Sequence, residues 1–286
     1  MTSPIQVADR HCGARRGDRP YEERHERTCI NVVRSGSFTY RLGSTATTLG
    51  PGSIMLGNAG ASYVCSHEHV GGDYCLAVSY DAEVIAEVGE VFGVRKLSAP
   101  FGIPALPPLP YGGVFAHAMA AALRGGVAWS ADELALGLAV WVLREQTDAR
   151  RAPRAIRPTA RDTGRVVAAM LYLDEHSADA LTLAAVARIA GTSPFHFLRT
   201  FRTTVGVTPH QYLVRRRLVH AAAMLLDTDA PITAIAYDVG FGDLAHFIRS
   251  FGRAFGRAPR AFRRAGGSPY PSARNAKCRF AFSATD

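Results

Sequence analysis

The C-terminal part of the chain repeats itself, and that duplication limits what it can fold into. When residue n is set against n+50, Phe197-Leu198-Arg199-Thr200-Phe201 falls on Phe247-Ile248-Arg249-Ser250-Phe251. His196 falls on His246, Gly206 on Gly256, Pro209 on Pro259 and Tyr212 on Phe262. Upstream, Val186-Ala187 and Gly191 match Ile235-Ala236 and Gly240 at an offset of 49, so the second copy holds one extra residue in its turn. Glycines and prolines in register point to a duplicated supersecondary unit.

Each copy reads as helix, tight turn, helix. Leu183, Val186, Ala187 and Ala190 mark the first helix, and Gly191 supplies the left-handed residue that commonly ends one. Ser193 caps the next helix, with Pro194 at its first position, where a missing N–H costs nothing. In the second copy Ile232, Ile235 and Ala236 precede Gly240, and Asp243 is the cap. A glycine-containing turn between two crossed helices is a helix-turn-helix signature.

The second helix of each pair has two unlike faces. Phe197, Phe201 and Val205, and likewise Phe247, Phe251 and Phe255, recur at a spacing of four and should be buried. The opposite faces carry Phe195, Arg199, Arg202 and Thr203, and Ala245, Arg249, Gly252 and Arg253. Arginines on such a helix can reach guanine O6 and N7 in a major groove. Between the copies, Pro209–Asp227 is periodic enough for one long helix that holds the units rigidly apart. Its Arg215-Arg216-Arg217 triplet is either a phosphate clamp, the reading preferred here, or a solvated face.

Charge supports a polyanion partner for this half. The formal net charge is +9, yet residues 1–157 hold 16 Arg and Lys against 15 Asp and Glu, whereas residues 158–286 hold 17 against 9. The near-absence of lysine (Lys96 and Lys277 alone) fits codon bias as readily as phosphate recognition. No apolar run is long enough for a membrane span, and Met1–Gln6 lacks the basic head and apolar stretch of a secretory signal. Five scattered cysteines without a C-x-x-C pair fit a reducing cytoplasm.

The N-terminal half has a different rhythm. Cys29–Arg34, Ser37–Leu42, Ser53–Leu56, Ser62–His69 and Tyr74–Ser79 read as short strands between glycine-rich turns, which suits a small barrel or sandwich. Helices are expected over Gly113–Leu123 and Ala131–Gln146. The boundaries that follow are 1–148, a linker at 149–160, an all-helical domain at 161–266 and a flexible tail at 267–286 that contains Cys278. The fold class is α+β.

From Leu183 to Arg264 the sequence resembles the AraC/XylS family of bacterial transcription regulators. The most diagnostic stretch is Asp238-Val239-Gly240-Phe241-Gly242-Asp243, then Phe247–Phe251, then Phe255-Gly256-Arg257-Ala258-Pro259-Arg260-Ala261-Phe262-Arg263. The resemblance implies two helix-turn-helix units joined by a long helix, with base-reading helices at Ser193–Val205 and Asp243–Phe255. Residues then expected on double-stranded DNA are Ser193, Phe195, His196, Arg199, Arg202, Thr203, Arg215, Arg216, Ala245, His246, Arg249 and Arg253. Ala245, Ile248 and Gly252 stand where many relatives hold larger polar groups, so readout should weigh toward the first unit. Gly50-Pro51-Gly52-Ser53-Ile54-Met55-Leu56 resembles the turn-then-strand segment of the family's cupin-like barrel. That implies a small-molecule effector in the barrel, dimerisation through the helices that follow, and RNA polymerase as a partner if the protein is an activator. No catalytic step is expected.

One cluster in the first half suits another chemistry. On a strand, Cys65, His67 and His69 share a face, and a hairpin could bring Cys75 near, a set suited to zinc or iron. His25 and Cys29 are remote candidates. The competing reading makes the cysteines core residues and the histidines part of a polar barrel mouth. His11 and Cys12 lie in a polar leader, Arg10–Arg27, and are expected to have no local role. The remaining alternatives are a metal- or thiol-sensing regulator, a metal-dependent cupin enzyme fused to a DNA-binding domain, and a nonspecific architectural DNA binder.

Overall fold

Alternating side chains on three strands build the N-terminal half. On β3 (Thr28–Gly36), Ile30 and Val32 point to one side and Val33 to the other, and all three are buried. The same alternation on β8 (Asp73–Tyr80) sends Leu76 and Val78 one way and Cys75 the other. The computed structural model describes residues 3–67, 69, 71–91, 99–125, 129–149 and 159–266.

Two antiparallel sheets result. The first has five strands in the order β1 (Ile5–Cys12), β8, β3, β6 (Ile54–Gly57) and β9 (Ala105–Leu106). The second runs β2 (Glu22–Arg24), β7 (Ser62–Ser66), β4 (Phe38–Leu42) and β5 (Thr45–Leu49). Val33, Phe38, Tyr40, Leu49, Met55 and Cys75 pack together in one core cluster drawn from both sheets. The opposite face of the five-stranded sheet is covered by α1 (Ala82–Val91), α2 (Pro110–Leu123) and α3 (Ala131–Ala149), through Ile85, Phe115, Met119, Leu138 and Trp141. The expected leader, Arg10–Arg27, is not inert at its start: Arg10–Cys12 end β1, which begins ahead of it with Ile5 and Val7 at alternate apolar positions and pairs along β8. β2, β5 and α1 also went unpredicted. Threonine-rich β5 is polar on most positions, so no apolar alternation marks it.

The C-terminal half is helical: α4 (Ala160–Glu175), α5 (Leu183–Ile189), α6 (Pro194–Val205), α7 (Pro209–Asp227), α8 (Ile232–Asp238), α9 (Leu244–Phe255) and α10 (Pro259–Arg264). It holds two cores. Val166, Met170 and Leu173 of α4 close over Val186, Phe197, Phe201 and Tyr212. Leu218, Ala222 and Leu225 of α7 close over Ile235, Phe247, Phe251, Phe255 and Phe262. Most of the expected linker, residues 150–158, and the tail from 267 on lie outside the described residues. Among the described residues, no helix is long and apolar enough to cross a membrane.

The halves touch through defined contacts. Val114 of α2 belongs to the core of the second helix pair, and the Tyr111 hydroxyl donates to the Phe255 carbonyl at 2.7 Å. Tyr212 donates to the carbonyl of Pro51 at 3.2 Å, and Arg215 to that of Pro108 at 2.5 Å. His117 Nε2 lies 3.0 Å from the Asp227 carboxylate.

Candidate nucleic-acid interface

The turns that set α6 and α9 at an angle to their partners depend on Gly191 and Gly240, at φ 61° and 92°. At Gly240 a side chain would also run into the Ala178 backbone, so glycine is required there twice over. The caps follow. The Ser193 hydroxyl accepts from His196 N at 3.4 Å, and the Asp243 carboxylate accepts from Ala245 N at 3.2 Å and His246 N at 2.8 Å. Those two N–H donors hold the Asp243 carboxyl below its usual range. Gly206 and Gly256 end the two helices in the left-handed conformation.

Behind each helix lies its buried stripe: Phe197, Phe201 and Val205, then Phe247, Phe251 and Phe255. In front lie the exposed groups. Phe195 is 79% exposed, far too open for a core phenylalanine, and Arg199 and Arg202 stand exposed beside it on α6. On α9 the matching face carries exposed Ala245, His246, Arg249 and Arg253. Arg249 makes only a loose contact with Asp243, at 3.9 Å between two largely exposed side chains. Ser193 works as a cap. Thr203 is half-buried, and the His196 ring turns back toward Thr192 and Thr200, with Nδ1 3.1 and 3.4 Å from their hydroxyls.

The arginine triplet is a correction. Arg216 is buried and bonds to Asp174 of α4. Arg215 reaches the Pro108 carbonyl of the N-terminal half, and Arg217 donates to the carbonyls of Ser177 and Asp179 at 2.6 and 2.7 Å. Burial lowers the pKa of Arg215 and Arg217, the opposite of what a phosphate-facing cation experiences. The triplet ties helices together, so Arg215 and Arg216 do not form a clamp. Counting charges along the sequence missed this because Asp174 and Pro108 are distant partners.

The expected ligand set Cys65, His67, His69 and Cys75 is also corrected. These four do not converge. The strand ends at Ser66, so the alternation that would align His69 with His67 stops, and the His69 ring rests on Gly164 of α4. The Cys75 thiol instead donates to Asp73 at 3.1 Å. His67 Nε2 sits 2.7 Å from the same carboxylate, and Cys12 completes a group that sequence spacing did not suggest. His25 and Cys29 pair with each other, ring nitrogen to sulfur at 3.4 Å. Burial pushes that histidine down to about 4 and that thiol up to about 11.

Residues 186–265 match a family model described as a helix-turn-helix domain. The chain is 38% identical over 94 residues to the HTH-type transcriptional activator RhaS of Enterobacter sp. (strain 638), covering 33% of this chain and 34% of that protein. It is 39% identical over the same length to RhaS of Salmonella schwarzengrund (strain CVM19633), with the same coverage. It thus spans about a third of the curated relatives it matches. Among solved structures, the C-terminal domain of AraT, a response regulator from Geobacillus stearothermophilus, is similar at 32% identity and a TM-score of 0.34, over 35% of this chain and 84% of its own. The likeness to these proteins is confined to this segment, and residues 186–265 match a helix-turn-helix domain.

Proposed function

We propose that the protein is a sequence-specific regulator of transcription that binds double-stranded DNA through two helix-turn-helix units, α5–α6 and α8–α9. The observation that carries this reading is the pair of capped helices α6 and α9. Each is buried by a phenylalanine stripe and free on an arginine-bearing face, in a half of strongly positive charge. Arg199 and Arg202 on α6 and Arg249 and Arg253 on α9 are the readers and phosphate contacts, with Phe195 packing on a base edge or sugar. Readout rests mainly on α6, since α9 offers Ala245 and Gly252 where α6 offers Phe195 and Arg202.

In this reading the two sheets form a cupin-like sensor barrel that takes a small effector, and residues 1–148 also carry a homodimer contact. Residues 161–266 form the DNA-binding domain. The contacts of Tyr111, Val114, Tyr212 and Arg215 carry the effector's influence from one half to the other. By analogy with the RhaS relatives the protein is an activator, engaging RNA polymerase in the cytoplasm without a catalytic step of its own. The test is selection of duplexes from a random pool with the full chain, followed by footprinting. An enriched motif and a footprint of fixed ends are expected. Protection without fixed ends, and no enrichment, would make it a nonspecific architectural binder instead.

A further inference from the structure

Cys12 ends β1, and the antiparallel register sets it opposite Asp73, the first residue of β8. His67 follows β7, a strand of the other sheet. The three residues therefore meet where the sheets join. Cys12 Sγ, a His67 ring nitrogen and an Asp73 carboxylate oxygen all lie within 4.8 Å of one another. His67 and Asp73 are buried, and Cys12 is half-buried. Cys12, His67 and Cys65 line a cleft of about 630 Å³ together with His11, Asp18 and Glu23.

The surroundings hold these groups in place. The Cys75 thiol donates to Asp73 Oδ2 at 3.1 Å, which fixes the carboxylate with Oδ1 toward His67. The Gly17 N–H donates to the His67 carbonyl at 3.1 Å, so the loop after the leader strand anchors the histidine's backbone. Hydrogen-bonded support of this kind is what orients metal ligands.

We propose that Cys12, His67 and Asp73 bind one divalent ion of the zinc class, with the fourth coordination position directed into the cleft. One sulfur, one nitrogen and one oxygen donor suit zinc and its borderline neighbours, whereas calcium and magnesium take oxygen. Nitrogen and oxygen donors on one tetrahedral zinc sit about 3.3 Å apart, from bond lengths near 2.0 Å. The ion therefore replaces the 2.7 Å His67–Asp73 hydrogen bond with a modest widening. Water or a donor atom of a small molecule in the cleft fills the fourth position. The site is also two residues from His69, whose ring abuts Gly164 of α4 in the C-terminal half.

The test uses reduced full-length protein titrated with Co²⁺ and then Zn²⁺. One ion per chain and a thiolate-to-cobalt charge-transfer band displaced by zinc are expected. Cys12→Ser should abolish the band, and the near-isosteric Asp73→Asn should weaken binding at least about tenfold. Cys65→Ser and His69→Gln should leave both readouts intact. In the wild-type chain, zinc should slow alkylation of Cys12 by about tenfold or more, which needs no variant to fold. A band that survives Cys12→Ser, or that is lost in His69→Gln, would overturn the assignment. So would unprotected Cys12 at saturating zinc.

Discussion

Phe197, Phe201 and Val205 in the first helix pair, and Phe247, Phe251 and Phe255 in the second, fill equivalent positions behind an exposed helix. The cores close differently. The first is completed by α4, with Val166, Met170 and Leu173. The second is closed by Leu218, Ala222 and Leu225 of α7 and also takes in Val114 from α2, in the N-terminal half, alongside Phe262. The duplication thus kept the internal frame and let the outer layer diverge. The first copy exposes Phe195 where the second has Ala245, while the second shares its core with Val114 of the N-terminal half.

The largest expected effects test the shared frame. Phe201→Ala and Phe251→Ala should each cost about 3–5 kcal/mol, since each empties a fully buried site. Chemical denaturation would show whether the copies unfold together. Loss of the α2 contacts only in Phe251→Ala would confirm that the second core reaches into the other half. Equal behaviour of both variants in a fragment lacking residues 1–148 and in the whole chain would argue against it.

Next in size is Arg216→Ala, expected to destabilise the protein by about 2–4 kcal/mol because Asp174 is left without its partner. The slope of log affinity against log salt should stay as in the wild type. Arg202→Ala, on the exposed face, should flatten that slope by about one ion. A flattened slope for Arg216→Ala would restore the clamp that the geometry denies.

A smaller effect should come from Tyr111→Phe, which removes one hydrogen bond to the Phe255 carbonyl and costs about 1 kcal/mol. Its value lies in where the cost appears. Faster amide exchange at the end of α9, with α6 unchanged, would show that this contact serves the second copy alone. Equal change in both helices would contradict the asymmetry.

The helical half was legible in the sequence because its signals are local. Pro209 to Asp227 reads as one helix from its periodicity and its proline start, and the structure has α7 over those residues. Gly191, Gly240, Ser193 and Asp243 each announce a turn or cap without needing a distant partner. What was not legible depends on long-range pairing. Cys12 gains a neighbour in Asp73 only through the β1–β8 register, and Arg216 is explained only by Asp174, on another helix. The Cys65-x-His67-x-His69 alternation misled because a strand's period of two holds only while the strand lasts, and β7 ends at Ser66.

The central claim, that the repeated helices read DNA and do so unequally, is tested most directly by equilibrium binding of the wild type, Arg199→Ala and Arg249→Ala. Each is measured on the selected duplex and on random duplex at one salt concentration. The account predicts that Arg199→Ala loses about 1–3 kcal/mol on the selected duplex and far less on random DNA, with a smaller difference for Arg249→Ala. Equal losses on the two duplexes for Arg199→Ala would reduce it to a phosphate contact and contradict the account.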